Sequence, residues 1–514
     1  MNTATFSRTW DSAVGRHTDS LFLVFRAESG EVCEWTYGEF DAVVTRTVGA
    51  LRAAGAGPGS PVHVALRNCP AFVALWLAAS RLGAWLVPVD PASSPRDIAR
   101  QAHRVRPAVG VCASTREAAY REGVGDMVPT VLVLAEDAGD LNGVGTPLSM
   151  LCADVVETGE QAPRPEDRLA VMFTSGTTSE PKGVVLTQAN YAHVATVMAE
   201  AARLRPHHRW HVTLPLFHAN AQYYCFAPAI AVGASVALSA AFSASGWVPH
   251  ARELGVTHAS LFAAPIRMIL ARTAGEEPPL ELEHVWFAQS LGAEHYERFA
   301  RLVGTRPRQL YGMTETVAIV SADSSAHPVH DVIGTPVAGR RIRVTDPASG
   351  NPAAPGTAGE LQVLGTRGRD LFASYLDDEE TTTAAFATGP EGTWFATGDL
   401  VSRDVDGVLR FTGRVDDVIK VSGENVSLTE VEAAVAQAPG VLEAAVVGVP
   451  DPVRDTIPVA YIVARDPNEP PHAEDLDQWA AHNLAPSARP RAWHLVDELP
   501  RTSVGKVRRF RVGS

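Results

Sequence analysis

The sequence has little cysteine and no excess of positive charge. Its 514 residues include only 5 cysteines, which lie tens of residues apart without a C-x-x-C pair: Cys33, Cys69, Cys112, Cys152 and Cys225. This spacing excludes a disulfide scaffold and a thiolate zinc site, and it indicates a reducing compartment. With 44 Lys and Arg against 58 Asp and Glu, the formal net charge is -14. Because nucleic-acid binding needs a cationic surface, no nucleic-acid partner is expected, and any phosphate site must be local.

Neither a secretory leader nor a membrane span is expected. The N-terminal segment MNTATFSRTWDSAVGRH has no apolar stretch of the secretory type, so a cytoplasmic location is expected. From Trp210 to Ala251 there is no Asp, Glu, Lys or Arg, but Pro228 and Gly233 interrupt the stretch and small residues dominate it. We therefore predict no span here, but a buried helix from about Ala219 to Ala231 and a strand from Ser235 to Leu238.

Short apolar runs alternate with longer Ala-rich segments over most of the chain, which is 46% hydrophobic and 20% charged. The run from Pro61 to Asp90 predicts a strand, a helix and a strand, and similar strand-like runs recur downstream as RPAVGVCAS, TVLVLAED, RLAVMFTS and HVTLPLF. Strands separated by helices favour parallel sheets covered by helices. We therefore predict an α/β fold with a large N-terminal domain of helix-covered sheets over residues 1–414.

The composition changes towards the C-terminus. Between Gly334 and Gly365, Gly and Pro separate β-rich pieces, which predicts a β-rich subdomain at about residues 330–414. The segment SLTEVEAAVAQAPG then predicts a helix, capped by Ser427 or Thr429 and ending at Gly440. Two strand-like runs and a second helix follow, so residues 415–514 are predicted to form a small α+β domain.

A loop rich in hydroxyl residues lies between Val171 and Val185, in the segment VMFTSGTTSEPKGVV. Its backbone N–H groups and hydroxyls suit anionic oxygens, and Lys182 adds a cation without making the whole protein basic. It is not a Walker A loop, since Pro181 precedes Lys182 and Gly183 follows it. Taken alone, the segment is also compatible with a solvated Ser/Thr turn.

Within this loop, TSGTTSEPKG resembles the phosphate-binding signature of the AMP-forming adenylating superfamily, which comprises acyl-CoA ligases, peptide-synthetase adenylation domains and luciferases. Four further matches follow in that family's order: YGMTET, TWFATGDL, FTGRVDDVIKVSGENVSLTEVE and PRTSVGKVRR. The pieces YGMTETVAIV, GENVS and DPVRD are most similar to the carnitine and crotonobetaine CoA-ligase-like subgroup. Two positions depart from the pattern. Ser179 replaces a common glycine, and Leu291 stands where Gly-Gly is frequent, which is expected to shorten or reshape the substrate channel.

The resemblance implies a two-step reaction. A carboxylate attacks the α-phosphate of ATP, pyrophosphate leaves, and a thiol then displaces AMP from the acyl-adenylate. ATP and Mg2+ are the implied cofactors, and CoA is the implied acceptor of a small-molecule acid. A carrier protein or an amine remains an alternative acceptor, and a non-carboxylic oxyacid an alternative substrate. A nucleotide-binding protein without turnover is the alternative from another class. Protomers of this family often pair, so a homodimer is also allowed.

By resemblance, five segments of the chain hold the nucleotide. The residues assigned to the β- and γ-phosphates are Thr174, Ser175, Gly176, Thr177, Thr178 and Lys182. Further ATP-binding positions are Gly292, Ala293, Glu294, Tyr311 and Gly312, of which the last two flank the adenine. Thr314 is expected to bond the α-phosphate and Glu315 to ligate Mg2+, while Asp399 and Arg414 bind the ribose hydroxyls. Glu315 could instead be an ordinary carboxylate at a helix start.

Lys506 is the expected catalytic lysine of the first step, since it resembles the residue that bridges the carboxylate and α-phosphate oxygens. Without the upstream motifs it would be read as a solvated lysine in a basic tail. Because Lys506 lies in the small domain, that domain must be mobile, with a hinge near Asp416. The loop with Lys420, Gly423 and Glu424 is then expected to enter the site for the thiol step. Arg414 and Asp416 could otherwise form an ordinary hinge pair.

His218 in PLFHANAQ resembles the aromatic gate between the acyl pocket and the thiol tunnel, although a lone histidine is more often a core residue. The candidate pocket residues are His218, Asn220, Gln222, Tyr223, Ala264, Gln289 and Leu291. This mixture of polar and apolar groups favours a small polar or aromatic acid. The segment FHAN has no aspartate to pair with a substrate ammonium, so an ordinary α-amino acid is disfavoured.

Overall fold

The computed structural model describes residues 4–142, 162–174, 181–273, 278–421, 424–452, 454–501 and 507–513. The described strands are β1 Leu21–Arg26, β2 Val32–Thr36, β3 Pro61–Ala65, β4 Trp85–Pro88, β5 Val109–Ala113, β6 Thr130–Leu134, β7 Arg168–Thr174, β8 Lys182–Thr187, β9 Arg209–Val212, β10 Ser235–Ser239, β11 His258–Phe262, β12 His284–Ala288, β13 Arg308–Tyr311, β14 Ser321–Ala322, β15 Thr335–Pro336, β16 Arg341–Thr345, β17 Ala358–Gly365, β18 Ser374–Tyr375, β19 Phe386–Gly389, β20 Gly392–Arg403, β21 Leu409–Arg414, β22 Val418–Val421, β23 Glu424–Ser427, β24 Val441–Asp451, β25 Asp455–Ala464 and β26 Trp493–Leu495.

The described α-helices are Phe6–His17, Tyr37–Ala53, Pro70–Leu82, Pro95–Val105, Glu117–Val124, Gly139–Asn142, Gln188–Ala201, Ala227–Val232, Trp247–Glu253, Ala263–Arg272, Ala293–Val303, Glu379–Ala385, Leu428–Val435 and Ala473–Asn483. A π-helix spans Asn220–Phe226. Short 3-10 turns lie at Ser114–Arg116, Gly125–Met127, Thr314–Thr316, Val415–Asp417 and Arg509–Arg511.

Two large sheets form the body of the N-terminal part. One has 7 strands in the order β18-β8-β7-β4-β3-β5-β6, and the other has 9 strands in the order β15-β14-β13-β12-β11-β9-β10-β1-β2. From β7 to β6 and from β1 to β13 the neighbouring strands are parallel. The outer strands β8, β18, β2, β14 and β15 join antiparallel. The carboxyl ends of the parallel strands therefore meet along shared edges, where ligand sites of α/β sheets are found.

The helix Pro70–Leu82 shows why the sequence folds this way. Every residue in it except Arg81 is buried, as expected for a helix that is apolar on all sides. Pro70 fits the first helical position because its missing N–H has no partner there. Gly83 follows with φ of +73°, a left-handed cap that favours glycine. The predicted strand, helix and strand between Pro61 and Asp90 are thus confirmed.

The uncharged window also folds into the core. The π-helix Asn220–Phe226 continues into the helix Ala227–Val232, Gly233 turns the chain with φ of +76°, and β10 follows. All seven residues of the π-helix are buried. Within the described ranges, no helix combines the length and the apolar character needed to cross a bilayer.

The C-terminal part is built from two further sheets, in which neighbouring strands are antiparallel except for the parallel pair β25 and β26. Strands β16-β17-β20-β19 form the first, with β21 added to β20, which gives the predicted β-rich region. Strands β23-β22-β25-β24 form the second, with β26 added to β25. The helices Leu428–Val435 and Ala473–Asn483 lie between these strands in the sequence. The predicted fold class, helix-covered sheets with a β-rich part and a smaller α+β part, is confirmed. The boundaries at residues 330, 414 and 415 stay predictions.

Candidate active site

The predicted phosphate loop is framed by an antiparallel strand pair. Strand β7 ends at Thr174, β8 begins at Lys182, and these two residues face each other in the ladder. The hydroxyl of Thr174 lies 3.5 Å from the main-chain oxygen of Lys182. The predicted phosphate ligands Ser175, Gly176, Thr177 and Thr178 lie outside the described residues. The Lys182 ammonium lies 5.1 Å from the centre of the Tyr375 ring, so a half-buried cation stands at the base of the loop.

Glu315 lies in a short turn directly after β13. Its side chain is buried, and the hydroxyl of Tyr375 donates a hydrogen bond of 3.2 Å to its carboxylate. Burial raises the pKa of Glu315, whereas the hydrogen bonds to its carboxylate and the cations Lys182 and Arg414 oppose that rise. A buried carboxylate facing cations and an anionic ligand is a suitable ligand for a hard divalent ion, because such an ion removes the penalty on the buried charge. The Glu315 carboxylate therefore has the donor chemistry that Mg2+ prefers and would be able to hold that ion.

The end of the site predicted to hold the ribose is organised by Asp399. The hydroxyl of Tyr311 donates to one carboxylate oxygen of Asp399 at 2.6 Å, and Arg414 approaches the other oxygen at 3.2 Å. Asp399 and Arg414 are direct partners in the ladder of β20 and β21. Burial and the Asp399 carboxylate raise the pKa of Tyr311, so its hydroxyl keeps its proton and acts as a donor. The structure thus brings together three of the predicted ATP-binding residues.

Gly312 and Thr314 connect these two centres. A Cβ on Gly312 would lie 2.9 Å from the Tyr224 hydroxyl oxygen and 3.2 Å from the Cα of Ile319, so the close approach requires glycine. Thr314 begins the 3-10 turn that contains Glu315, and its side chain is half-buried. The main-chain oxygen of Glu315 accepts a hydrogen bond of 2.9 Å from Phe372.

Gly292, Ala293 and Glu294 form the start of the helix Ala293–Val303, with Gly292 as its N-cap. Ala293 and Glu294 are exposed, and Glu294 lies 3.9 Å from Arg298 one turn later. The N-terminus of this helix points its free N–H groups away from the helix body, which favours a negative group there. The nucleotide role of these three residues stays a prediction.

The predicted acyl pocket lies around the π-helix. His218 is half-buried beside the ring of Phe217, with the ring centres 4.7 Å apart. Burial lowers the pKa of His218 to about 4, although Asp90 opposes the shift, so the imidazole is neutral at pH 7. Asn220 donates to Ser260 at 3.0 Å. Tyr223 is fully buried.

Gln222 is bound to the framework at both ends of its amide. It donates to the main-chain oxygen of Leu216 at 2.6 Å and accepts from the hydroxyl of Tyr191 at 2.7 Å. These bonds fix the first turn of the π-helix against the neighbouring helix Gln188–Ala201. They give Gln222 a structural function in the framework, and its place in the acyl pocket stays a prediction.

The other predicted pocket residues follow β11 and β12. Ala264 is buried at the start of the helix Ala263–Arg272. Gln289 is exposed and has φ of +73°, a left-handed conformation uncommon for glutamine, and its main-chain oxygen accepts from Gln309 at 3.2 Å. Leu291 is buried in the apolar cluster that includes Phe287 and Tyr296. The expected effect of Leu291 on the channel stays a prediction.

The small domain carries the predicted hinge and thiol-step loop. Asp416 is exposed in the 3-10 turn Val415–Asp417, directly after Arg414. Lys420 and Glu424 are exposed on the hairpin of β22 and β23. Gly423 and the predicted catalytic Lys506 lie outside the described residues. Arg501 and Val507, the described residues on either side of positions 502–506, form an isolated antiparallel bridge.

Tyr375, which contacts both Lys182 and Glu315, was missed by the sequence interpretation. It belongs to β18, whose two residues pair with Val184 and Val185 of β8. The sequence signal is an aromatic residue in the short run LFASYL directly after the Gly- and Arg-rich segment GTRGRD. That signal indicates a short strand, but it does not show which residues Tyr375 contacts. The strand pairs with β8, which lies nearly 200 positions earlier in the chain.

Comparisons with known proteins give the family. Residues 10–376 match the family described as AMP-binding enzyme, and residues 430–506 match the AMP-binding enzyme C-terminal domain. The crotonobetaine/carnitine-CoA ligase of Salmonella arizonae is 27% identical over 521 residues, covering 97% of this chain and 96% of that protein.

Solved structures give the same fold. ATP-bound MatB from Rhodopseudomonas palustris is 22% identical, with a TM-score of 0.86 over 98% of each chain. A benzoate CoA ligase from Burkholderia xenovorans LB400 is 23% identical, with a TM-score of 0.84 over 99% of this chain and 100% of that chain. Since the family match extends over most of the chain and continues into the C-terminal domain, this protein belongs to the AMP-binding enzyme family, which confirms the predicted resemblance and its class as an AMP-forming ligase.

Proposed function

We propose that this enzyme activates a small polar or aromatic carboxylic acid with ATP and transfers the acyl group to the thiol of CoA. In the first step a carboxylate oxygen bonds to the α-phosphorus while the bond to pyrophosphate breaks. In the second step the thiol sulfur bonds to the acyl carbon, AMP leaves, and the thiol proton is released to solvent. The observation that carries this proposal is the buried pair of carboxylates, Glu315 and Asp399, each of which accepts a hydrogen bond from a tyrosine hydroxyl.

The first step brings two anions together, so it needs cations and donors placed beforehand. Lys182 and Arg414 supply positive charge near Glu315, and both oppose the rise in its pKa that burial causes. Glu315 would hold Mg2+, and that ion, when bound, would neutralise charge on the phosphate oxygens. Thr174 and Lys182 frame the loop that is expected to receive the β- and γ-phosphates.

The nucleoside is expected at the other carboxylate. Asp399 has both oxygens directed by protein donors, which fixes its orientation before a ribose arrives. A carboxylate in this state accepts from ribose hydroxyls through its remaining lone pairs. Gly312 packs against Tyr224 and Ile319 on the side where a side chain would lie, and its position beside the adenine is expected from the resemblance.

The acid is expected to bind beside the π-helix. A neutral His218 does not add charge to the pocket, so an aromatic or uncharged polar acyl group suits it better than a second carboxylate would. Relatives named for crotonobetaine or carnitine and for benzoate are consistent with acids of small size. Lys506 is expected to bridge the reacting anions, and Lys420 and Glu424 to approach the site for the thiol step.

The test is a screen of carboxylic acids with ATP and Mg2+, read by mass spectrometry for acyl-adenylates and by release of pyrophosphate. CoA or a phosphopantetheinyl carrier is added afterwards. We expect adenylate from a small polar or aromatic acid, thioester on addition of CoA, and neither product with Lys506→Ala. Product formed only with the carrier would reject CoA as the acceptor. ATP binding without pyrophosphate release for any acid would reject the proposal in favour of a nucleotide-binding protein without turnover.

A further inference from the structure

Arg340 is a buried arginine whose side chain donates to main-chain oxygens rather than to a substrate group. It is 8% exposed and lies directly before β16, after a turn in which Gly339 has φ of +79°. Its guanidinium donates to the carbonyls of Ala318 at 3.0 Å, Ile319 at 3.3 Å and Asp370 at 2.7 Å, and also to that of Thr316. Burial lowers the pKa of Arg340 to about 10, so the guanidinium remains charged at neutral pH.

The carbonyls that Arg340 binds belong to the segment that carries Glu315. The segment from Tyr311 to Val320 is a closed loop, because the N–H of Val320 donates to the oxygen of Tyr311 at 2.8 Å. Residues Thr316 to Val320 in this loop are completely buried. A buried carbonyl without a hydrogen-bond donor destabilises the fold. The Arg340 guanidinium supplies donors to the carbonyls of this segment and so stabilises its backbone conformation.

The same segment contains a strained residue. Val317 has φ of +65° and ψ of -81°, a conformation that a β-branched residue rarely adopts. Such strain persists only where the surrounding structure enforces it, and it is concentrated at functional sites. Val317 lies two residues after Glu315 and between the carbonyls of Thr316 and Ala318, which Arg340 grips on either side.

Arg340 also joins the loop to the segment on its other side. Its bond to Asp370 places one guanidinium between the loop 311–320 and the residues that precede Phe372. Phe372 in turn donates to the main-chain oxygen of Glu315, and Tyr375 donates to its carboxylate. The planar guanidinium suits this use, since its five donors form a rigid fork that an ammonium group does not provide.

We infer that Arg340 is a positioning residue for the nucleotide step: it holds the strained turn at Val317 and thereby fixes Thr314 and Glu315 for the phosphates and Mg2+ of ATP. This inference rests on the proposed function of the same site. It assigns Arg340 no contact with substrate. Its effect should appear in the binding of Mg2+ and ATP and not in the binding of the acid.

The test compares Arg340→Met with Arg341→Met. Arg341 is the next residue, has the same charge and is exposed in a surface ion pair with Glu391, so it controls for the lost charge. The dissociation constant of ATP is measured calorimetrically at several Mg2+ concentrations without any acid, and KM values follow for ATP and for the acid. We expect Arg340→Met to weaken ATP binding by about 10-fold or more and to raise the Mg2+ requirement, while the acid KM changes by less than about 3-fold. Arg341→Met should stay within about 2-fold of wild type.

Two further variants separate positioning from a general loss of structure. Arg340→Lys keeps the charge but not the fork, and should bind ATP with intermediate affinity. Val317→Gly removes the Cβ that makes φ of +65° unfavourable. In the Arg340→Met background it should recover at least about 3-fold of the lost affinity, and in the otherwise wild-type chain it should change affinity by less than about 2-fold.

These experiments test the positioning role of Arg340 and the proposed function of the enzyme independently. Equal ATP affinities for Arg340→Met and Arg341→Met would overturn the positioning role, and so would a loss that extends equally to the acid KM and is unchanged by Val317→Gly. If wild type bound ATP and Mg2+ but activated no acid, the proposed function would fail, while the ATP affinities of the variants would still decide the role of Arg340.

Discussion

Replacing Tyr375 with phenylalanine isolates the hydrogen bond on which the predicted Mg2+ ligand depends. The change removes only the hydroxyl that donates to Glu315 at 3.2 Å and keeps the ring against which Lys182 lies at 5.1 Å. A hydrogen bond to a charged group contributes about 1.5 to 3 kcal/mol, and the length of this one places it near the lower end. If this whole free energy is lost from the complex with ATP and Mg2+, these ligands should bind roughly 10-fold more weakly.

The pH dependence gives a second readout of the same variant. Burial raises the pKa of Glu315 and the Tyr375 hydroxyl lowers it, so removing the hydroxyl raises the pKa further. Because only the ionised carboxylate ligates Mg2+, activity falls as pH falls through this pKa. The acid limb of the pH–rate profile should therefore move to higher pH in Tyr375→Phe. Tyr461→Phe, in β25 of the C-terminal sheet, is the matched control. An unchanged ATP affinity together with an unmoved acid limb would refute the reasoning.

Three further predictions follow from the site and the fold. Asp399→Asn should raise the KM for ATP by about 10-fold, with little effect on the acid KM, because it removes the charge that orients the predicted ribose site; equal effects on both KM values would contradict this. Asp416→Pro should slow thioester formation much more than adenylate formation in separate single-turnover assays, since proline fixes φ at the predicted hinge, and equal losses would count against the hinge. Gly304→Ala should have an apparent Tm well below that of Gly59→Ala. Both glycines have φ of +77°, but only at Gly304 would a Cβ meet another atom closely, at 2.1 Å from the oxygen of Leu280. Equal Tm values for the two variants would show that the clash relaxes.

The alternation of strands and helices could be predicted from the sequence because burial on both faces leaves a local signature. The parallel strand β3 and the helix Pro70–Leu82 are mostly apolar and almost entirely buried, and Gly83 marks the end of the helix. The uncharged window was likewise interpretable, since Gly233 requires a turn between helix and strand. These elements are specified by residues within a few positions of one another.

Element ends were less predictable. The helix after Ser427 begins as expected, with the Ser427 hydroxyl accepting from the N–H of Glu430. It was predicted to end at Gly440 but ends at Val435, so that prediction was wrong. Residues 437 and 438 donate to carbonyls three positions back, which tightens the chain into turns before Pro439. Pro439 has no N–H to donate to the carbonyl of Val435 four positions back, and its ring would clash with that carbonyl, so the helix does not continue to Gly440.

The site was predictable where motifs carry it and not where long-range pairing carries it. Tyr311, Asp399 and Arg414 came from three separate motifs, and the structure brings them within hydrogen-bond distance. Tyr375 and Arg340 lie outside those motifs. Their partners Glu315 and Ala318 are respectively 60 and 22 positions away, and neither pairing leaves a periodic or compositional trace.

The most direct test of the account is acid-dependent exchange of labelled pyrophosphate into ATP, because only a reversibly formed adenylate returns the label. We predict exchange that requires a carboxylic acid and Mg2+, that falls strongly in Glu315→Gln, and that is lost in Lys506→Ala. Failure of every acid to support exchange, or exchange that stays undiminished in both variants, would contradict the assignment of this site to acid activation.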